Sequence, residues 1–144
     1  MGTDEYSIWI EATPAQVWLV YVDPERIPDW QTGRPVIVDV HGAPGEVGST
    51  YRSKRGPLVA QTTVRASDTG RELVTSTDAY VGLRFEVTSR LTERSGGTDL
   101  GLRVVTHWPR GLAPFGKLVE LAVLSRREAI KELRSLKSLV EAER

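Results

Sequence analysis

The chain has 144 residues, 40% of them apolar and 26% charged, which is the size and balance of one domain, 1–144, with its own core. Nineteen basic and nineteen acidic side chains cancel, so no net field attracts nucleic acid. The absence of cysteine excludes disulfides, thiolate metal sites and a cysteine nucleophile. With neither a signal-peptide pattern nor an apolar run that could span a bilayer, we expect a cytoplasmic protein without membrane insertion.

The N-terminal part predicts a strand followed by two short helices. Residues 6–12 alternate in a way typical of a strand. Thr13-Pro14 then supplies an N-cap and a proline at the first helical position, which predicts a helix over 15–22. Asp23-Pro24 repeats the same signal, and the second helical turn ends near Trp30.

The middle of the chain predicts an antiparallel meander, because six strand patterns follow one another across short turns rather than across helices. These strands are predicted at residues 35–41, 48–55, 58–66, 72–79, 83–92 and 98–108. A long helix over 114–142 then closes the chain. Its apolar stripe has the i, i+3/i+4 spacing of a helix that lies on a core, and is formed by Phe115, Leu118, Ala122, Ser125, Ala129, Leu133, Leu136 and Val140.

Alternation along the strands predicts an inner face with an unusual number of hydroxyl groups. They belong to Thr62, Thr75, Thr77, Ser89 and Thr106, with Ser125 on the facing stripe of the helix. Because a buried hydroxyl without a partner is costly, either water or a ligand lies between sheet and helix, or these hydroxyls bond locally to the backbone. In the strand at 48–55 we expect Tyr51 and Ser53 to point inward, and the opposite register, with Arg52 and Lys54 inward, stays open.

Several segments resemble the START-like, Bet v 1-like superfamily, and more narrowly its polyketide cyclase/dehydrase branch of small bacterial proteins. They are residues 8–18 (IWIEATPAQVW), Asp23-Pro24, Trp30, Val47-Gly48, 111–116 (GLAPFG) and 133–141. The resemblance covers essentially the whole chain and implies an α+β helix-grip fold. In that fold a seven-stranded curved antiparallel sheet wraps a long C-terminal helix around an internal cavity. It also implies apolar ligands such as lipids, hormones or polyketides. We expect no cofactor.

We therefore expect a ligand cavity between the sheet and the last helix, with Trp30 and Trp108 as aromatic groups at its rim. The residues assigned to it are Trp30, Tyr51, Ser53, Thr62, Thr75, Thr77, Phe85, Ser89, Thr106, Trp108, Phe115 and Ser125. Neither His41 nor His107 belongs to a recognisable motif, so no metal site is expected. No catalytic residue can be assigned, and we expect Arg52 or Arg55 to supply a cation to the cavity only in the opposite register of that strand.

Three functions are consistent with these residues. The first is binding of a small hydrophobic or aromatic molecule, and the second is a cofactor-free cyclase or dehydratase in the same cavity. The third is a protein-interaction or chaperone-associated module with a filled core. Residues 118–124 are apolar nearly all round the helix, and a homodimer is one way to cover that surface.

Overall fold

The computed structural model describes residues 2–79, 82–107 and 115–144, with the side chains of the final helix described from residue 126 onward. The chain forms β1 (Gly2–Ile10), α1 (Pro14–Tyr21), a 3-10 turn (Pro24–Arg26), α2 (Ile27–Trp30), β2 (Val36–His41), β3 (Thr50–Arg55), β4 (Leu58–Asp68), β5 (Glu72–Asp78), β6 (Arg84–Arg94), β7 (Gly97–His107) and α3 (Phe115–Glu143). The predicted order of elements is confirmed.

The seven strands make one antiparallel sheet in the order β1-β7-β6-β5-β4-β3-β2. Six of them follow the chain as a meander, and β1 joins the free edge of β7. In the paired register Asp4 lies opposite Val104 and Ile8 opposite Leu100. Alternate residues of β1 and β7 therefore face the same side of the sheet as α3.

The second half of α3 packs directly on this sheet. Leu133, Leu136 and Val140 are at most 4% exposed and share a core cluster with Ile10 and Leu100. This part of the predicted apolar stripe is confirmed. The first half of the stripe, Phe115 to Ser125, lies outside the described side chains.

The helix starts follow their sequence signals. The Thr13 hydroxyl accepts a hydrogen bond from the backbone N–H of Gln16 at 3.2 Å, and the Gln16 side chain accepts one from the N–H of Thr13 at 2.9 Å. This reciprocal capping box satisfies two donors that the first turn of α1 would otherwise leave free. Asp23 likewise accepts from the N–H of Glu25 and starts the 3-10 turn.

β1 differs from its prediction, since it begins at Gly2 rather than at residue 6 and ends at Ile10 rather than at residue 12. The reason is its partner: β1 pairs with β7 continuously from Gly2, opposite Thr106, to Ile10, opposite Thr98. Because of those backbone hydrogen bonds, the acidic N-terminal residues form part of the strand despite their low strand propensity. As a result Asp4 reaches the space under α3.

No helix within the described ranges is both long enough and apolar enough to cross a membrane.

Candidate functional site

A cavity of about 500 Å³ separates the sheet from the middle of α3. Glu128, Ala129 and Glu132 of α3 form one side of it. Its apolar wall consists of Leu58, Val59, Ala60, Ala79, Leu83, Phe85, Val87 and Val104. The volume is within the range of pockets that hold small molecules. The predicted internal space between sheet and helix is therefore present.

Six of the residues assigned to the cavity from sequence lie together on its wall. They are Tyr51, Ser53, Thr62, Thr77, Phe85 and Thr106. Trp108 lies outside the described residues, and Phe115 and Ser125 lie outside the described side chains, so their assignment stays a prediction.

Trp30, Thr75 and Ser89 were also assigned to the cavity, but the structure does not place them among the described residues that line it. Trp30 is 8% exposed and stacks on Tyr21, with 5.8 Å between the ring centroids, so it belongs to the packed core rather than to a rim. Ser89 is covered by Tyr21, and their hydroxyls share a hydrogen bond of 2.6 Å. Thr75 lies between Val64 of the core cluster on β4 and Val87 of the cavity wall on β6.

Tyr21 packs against the core cluster. Burial raises the pKa of its hydroxyl to about 12, although the hydrogen bond with Ser89 acts in the opposite direction. The phenol is therefore neutral at physiological pH and serves as a packed, hydrogen-bonded group rather than as a base.

The hydroxyl groups on the cavity wall are partly satisfied by one another. Thr62 and Thr77 lie directly opposite on β4 and β5 and share a hydrogen bond of 2.8 Å. Burial raises the pKa of the neighbouring Tyr51 phenol, and the Thr62 hydroxyl partly offsets that rise. The hydroxyls of Thr62, Thr77 and Ser89 therefore have hydrogen-bond partners within the protein. These partners are other side chains rather than the backbone groups expected from the sequence.

Glu132 is a residue of the cavity that the sequence patterns did not single out. Its side chain is 19% exposed, and Oε1 accepts a hydrogen bond from the backbone N–H of Thr32 at 3.2 Å. Burial raises the pKa of this carboxyl above its ordinary value, against the Thr32 N–H and the Arg55 guanidinium, which lower it. A carboxyl group with a raised pKa in a cavity can act as a proton acceptor or donor near neutral pH.

Arg55 lies beside this carboxyl, with 3.6 Å between its Nη2 and Oε1 of Glu132. Arg55 shares the inward face of β3 with Tyr51 and Ser53, whereas Arg52 points away and lies 3.9 Å from Asp39. The expected Tyr51/Ser53 register is confirmed, but the expectation that Arg55 enters the cavity only in the opposite register was wrong. Residues 51, 53 and 55 have the same parity, so alternation itself contained this signal.

Near this pair, the buried indole Nε1 of Trp30 has no hydrogen-bond partner among the described residues. The next residue in the chain, Gln31, lines the cavity. A buried polar group without a hydrogen-bond partner costs about 1–3 kcal/mol of stability. A hydrogen-bond acceptor supplied from outside the described residues would remove that cost.

The histidines lie apart from the cavity. His41 is exposed at the end of β2, and His107 on β7 lies 3.5 Å from Glu86 on the outer side of the sheet. In the part of the chain that the structure describes, no three potential metal ligands come together.

The fold and the cavity define the class of protein: a helix-grip domain with an internal space under its C-terminal helix. Within it, the chain belongs to the family described as polyketide cyclase/dehydrase and lipid transport, whose sequence model matches residues 1–141. No curated protein matches the sequence.

Solved structures share this fold at low sequence identity. Ara h 8.0201 is 18% identical, with a TM-score of 0.73 and 98% of each chain covered. The Aha1 dimer from Colwellia psychrerythraea is 19% identical, with a TM-score of 0.70 over 98% of this chain and 97% of that chain. DynU16, from the dynemicin biosynthetic locus, is 19% identical, with a TM-score of 0.71 over 99% of this chain and 48% of its own.

Proposed function

We propose that the protein binds a small apolar or aromatic molecule, lipid-like or polyketide-like, in the cavity between the sheet and α3. The observation that carries this proposal is the cavity of about 500 Å³, with a largely apolar wall and a few polar groups that converge on it. A space of this size costs packing energy unless something occupies it. The description of the family, which includes lipid transport, supports the same class of ligand.

A cavity-filling substitution tests binding. Ala60 lies on the cavity wall, whereas its neighbour Gln61 is exposed on the other side of β4. We expect Ala60→Trp to weaken binding of the neutral fluorescent probe N-phenyl-1-naphthylamine at least about tenfold, which corresponds to 1.4 kcal/mol. Gln61→Trp, the matched control, should stay close to the wild type. Equal binding by a folded Ala60→Trp protein would place the probe elsewhere and contradict the proposal.

Native mass spectrometry of the purified protein complements the titration, because a copurified small molecule adds its mass to the chain. The same spectrum reports the oligomeric state. A homodimer stays a proposal: the similar Aha1 structure is a dimer, and the apolar surface at 118–124 lies outside the described side chains.

A cofactor-free cyclase or dehydratase is the second candidate, and the pairing of Glu132 with Arg55 favours it. In an intramolecular aldol condensation, the Glu132 carboxylate would take a proton from a carbon next to a carbonyl. The Arg55 guanidinium would stabilise the enolate oxygen, and water would leave after the carbon–carbon bond forms. The test substrate is 2,6-heptanedione, which cyclises to 3-methylcyclohex-2-enone and water. If the wild type accelerates this cyclisation and Glu132→Gln does not, the result supports the cyclase function. A rate with the wild type equal to the rate in buffer alone would contradict it.

A filled-core interaction module has less support, because it requires a solidly packed interior. The cavity of about 500 Å³ between the sheet and α3 is a departure from such packing.

A further inference from the structure

We propose that this cavity selects apolar molecules that carry a hydroxyl group, an alcohol or a phenol, and discriminates against carboxylates such as fatty acids. The selecting groups are Gln31, Arg55, Glu128 and Glu132, here called the polar cluster. This inference rests on the proposed binding function and names the ligand class for the same site.

The apolar wall of the cavity extends across the sheet, away from the polar cluster. Arg55 of the polar cluster is on β3, whereas Phe85 and Val104 are on β6 and β7. From β3 to β6 the sheet order spans three strand spacings, about 14 Å. An elongated apolar molecule therefore fits with its hydrocarbon body against β6 and β7 and its polar end at Arg55 and Glu132.

Charge at the polar cluster disfavours an anionic ligand. Three carboxylates line the cavity, those of Asp4, Glu128 and Glu132. Asp4 is offset by Arg126, whose Nη1 lies 3.7 Å from its Oδ1. Of the described residues that line the cavity, only Arg55 is cationic, and it pairs with Glu132, so the Glu128 carboxylate is in excess. A ligand carboxylate would bring a further negative charge into a partly desolvated space.

Hydrogen-bonding capacity distinguishes a hydroxyl from an ammonium group. Arg55 already donates to Oε1 of Gln31 at 3.3 Å, which leaves the Gln31 amide N–H groups and the other guanidinium N–H groups as donors. Glu132 and Glu128 are acceptors. The Trp30 indole, buried and without a partner among the described residues, belongs to the residue that precedes Gln31 in the chain. A hydroxyl donates and accepts and so matches both sets, whereas an ammonium group only donates and a carboxylate only accepts.

Three probes with one ring system test this selection: 2-naphthol, 2-naphthoate and 2-naphthylmethylammonium, each titrated calorimetrically at neutral pH. We expect 2-naphthol to bind wild-type protein at least about tenfold more tightly than 2-naphthoate, and more tightly than the ammonium probe. Glu132→Gln is nearly isosteric and should reduce the ratio of the naphthoate and naphthol dissociation constants, called here the gap, several-fold. Glu86→Gln, which removes a carboxylate from the outer side of the sheet, should leave the gap unchanged.

The outcomes separate this inference from the function on which it rests. Naphthoate binding as tightly as naphthol, or the ammonium probe binding more tightly than naphthol, overturns the hydroxyl selection and leaves the binding function intact. An unchanged gap in folded Glu132→Gln also overturns it, since the polar cluster then does not select. If none of the three probes binds, the binding function fails and this inference fails with it. If Glu132→Gln does not fold, the affinities of the three probes for the wild-type protein still test whether the cavity selects a hydroxyl group.

Discussion

Arg55 on β3 and Glu132 on α3 bring opposite charges within 3.6 Å of each other across the cavity, 77 positions apart in the chain. The Arg55 side chain is 40% exposed and Glu132 only 19%, so the cation is at the solvent side and the carboxyl lies deeper. This asymmetry explains why burial, which raises the pKa of Glu132, outweighs the neighbouring guanidinium, which lowers it.

Removing the Arg55 charge should therefore raise the pKa of Glu132 further. Arg55→Gln eliminates a group that stabilises the carboxylate and leaves its burial unchanged. We expect the carbon-13 chemical shift of the Glu132 side-chain carboxyl to titrate at a higher pH in this variant than in the wild type. Arg52→Gln is the matched control, because Arg52 points to the opposite face of β3. An identical Glu132 midpoint in both variants would show that the guanidinium does not act on this carboxyl.

Glu132 should also destabilise the fold at neutral pH. Its folded-state pKa is raised above the ordinary value of 4.5, so between the two values the native state binds more protons than the unfolded chain. The free energy of unfolding then falls as pH rises from about 4.5 through the folded pKa. We expect Glu132→Gln to be more stable than the wild type at neutral pH, with the difference shrinking as the pH falls through the folded pKa of Glu132 toward about 4.5 and staying constant below that.

Urea denaturation at several pH values measures this effect. Glu86→Gln serves as the control, since that side chain is half exposed on the outer face. A difference between wild type and Glu132→Gln that is the same at neutral and acidic pH would contradict the linkage.

Much of the fold followed from the sequence because its signals are local. Thr13-Pro14 and Asp23-Pro24 mark helix starts through hydrogen bonds within three residues, and alternation assigns the faces of the strands. The length of β1 could not be predicted in this way. Its residues 2–5 are strand only because β7 offers them partners some hundred positions away.

The site was harder to predict than the fold because its chemistry depends on contacts between distant elements. The charges of α3 have the pattern of a solvated face, since Glu132 has neighbouring Lys131 and Arg134. Glu132 nevertheless follows Ala129 by three positions and precedes Leu136 by four, which places it at the border of the apolar stripe. For Trp30 the sequence indicates only a large amphipathic ring, which suits either a pocket rim or a core. Its stacking on Tyr21, which places it in the core, could not be predicted from the sequence.

The hydroxyl pair of Thr62 and Thr77 offers a test of how the cavity wall is stabilised. We expect Thr62→Val or Thr77→Val alone to lower the free energy of unfolding by about 1–2 kcal/mol, because each leaves the partner hydroxyl unsatisfied. The double variant should cost less than the sum, since neither threonine hydroxyl then remains without its partner. Chemical denaturation of the four proteins completes the double-mutant cycle. Additive effects would show that the 2.8 Å contact contributes no coupling energy.

Gly97 at the start of β7 should be intolerant of any side chain, although its backbone does not adopt a left-handed conformation. A Cβ there would lie 2.5 Å from the carbonyl oxygen of Ile10 and from the ring of Trp9. The ring has little freedom to move, because its indole N–H donates to the carbonyl of Arg94 at 2.8 Å and the Lys137 ammonium lies over it. We expect Gly97→Ala to lower the free energy of unfolding by about 1–3 kcal/mol through overpacking.

Gly101, on the same strand, is the matched control. A Cβ on Gly101 would have nothing within 4 Å, so Gly101→Ala should be neutral or slightly stabilising in the same denaturation experiment. Equal effects at the two positions would mean that β1 and β7 can separate enough to admit a methyl group, and that the close approach of Trp9 to this strand does not restrict residue 97.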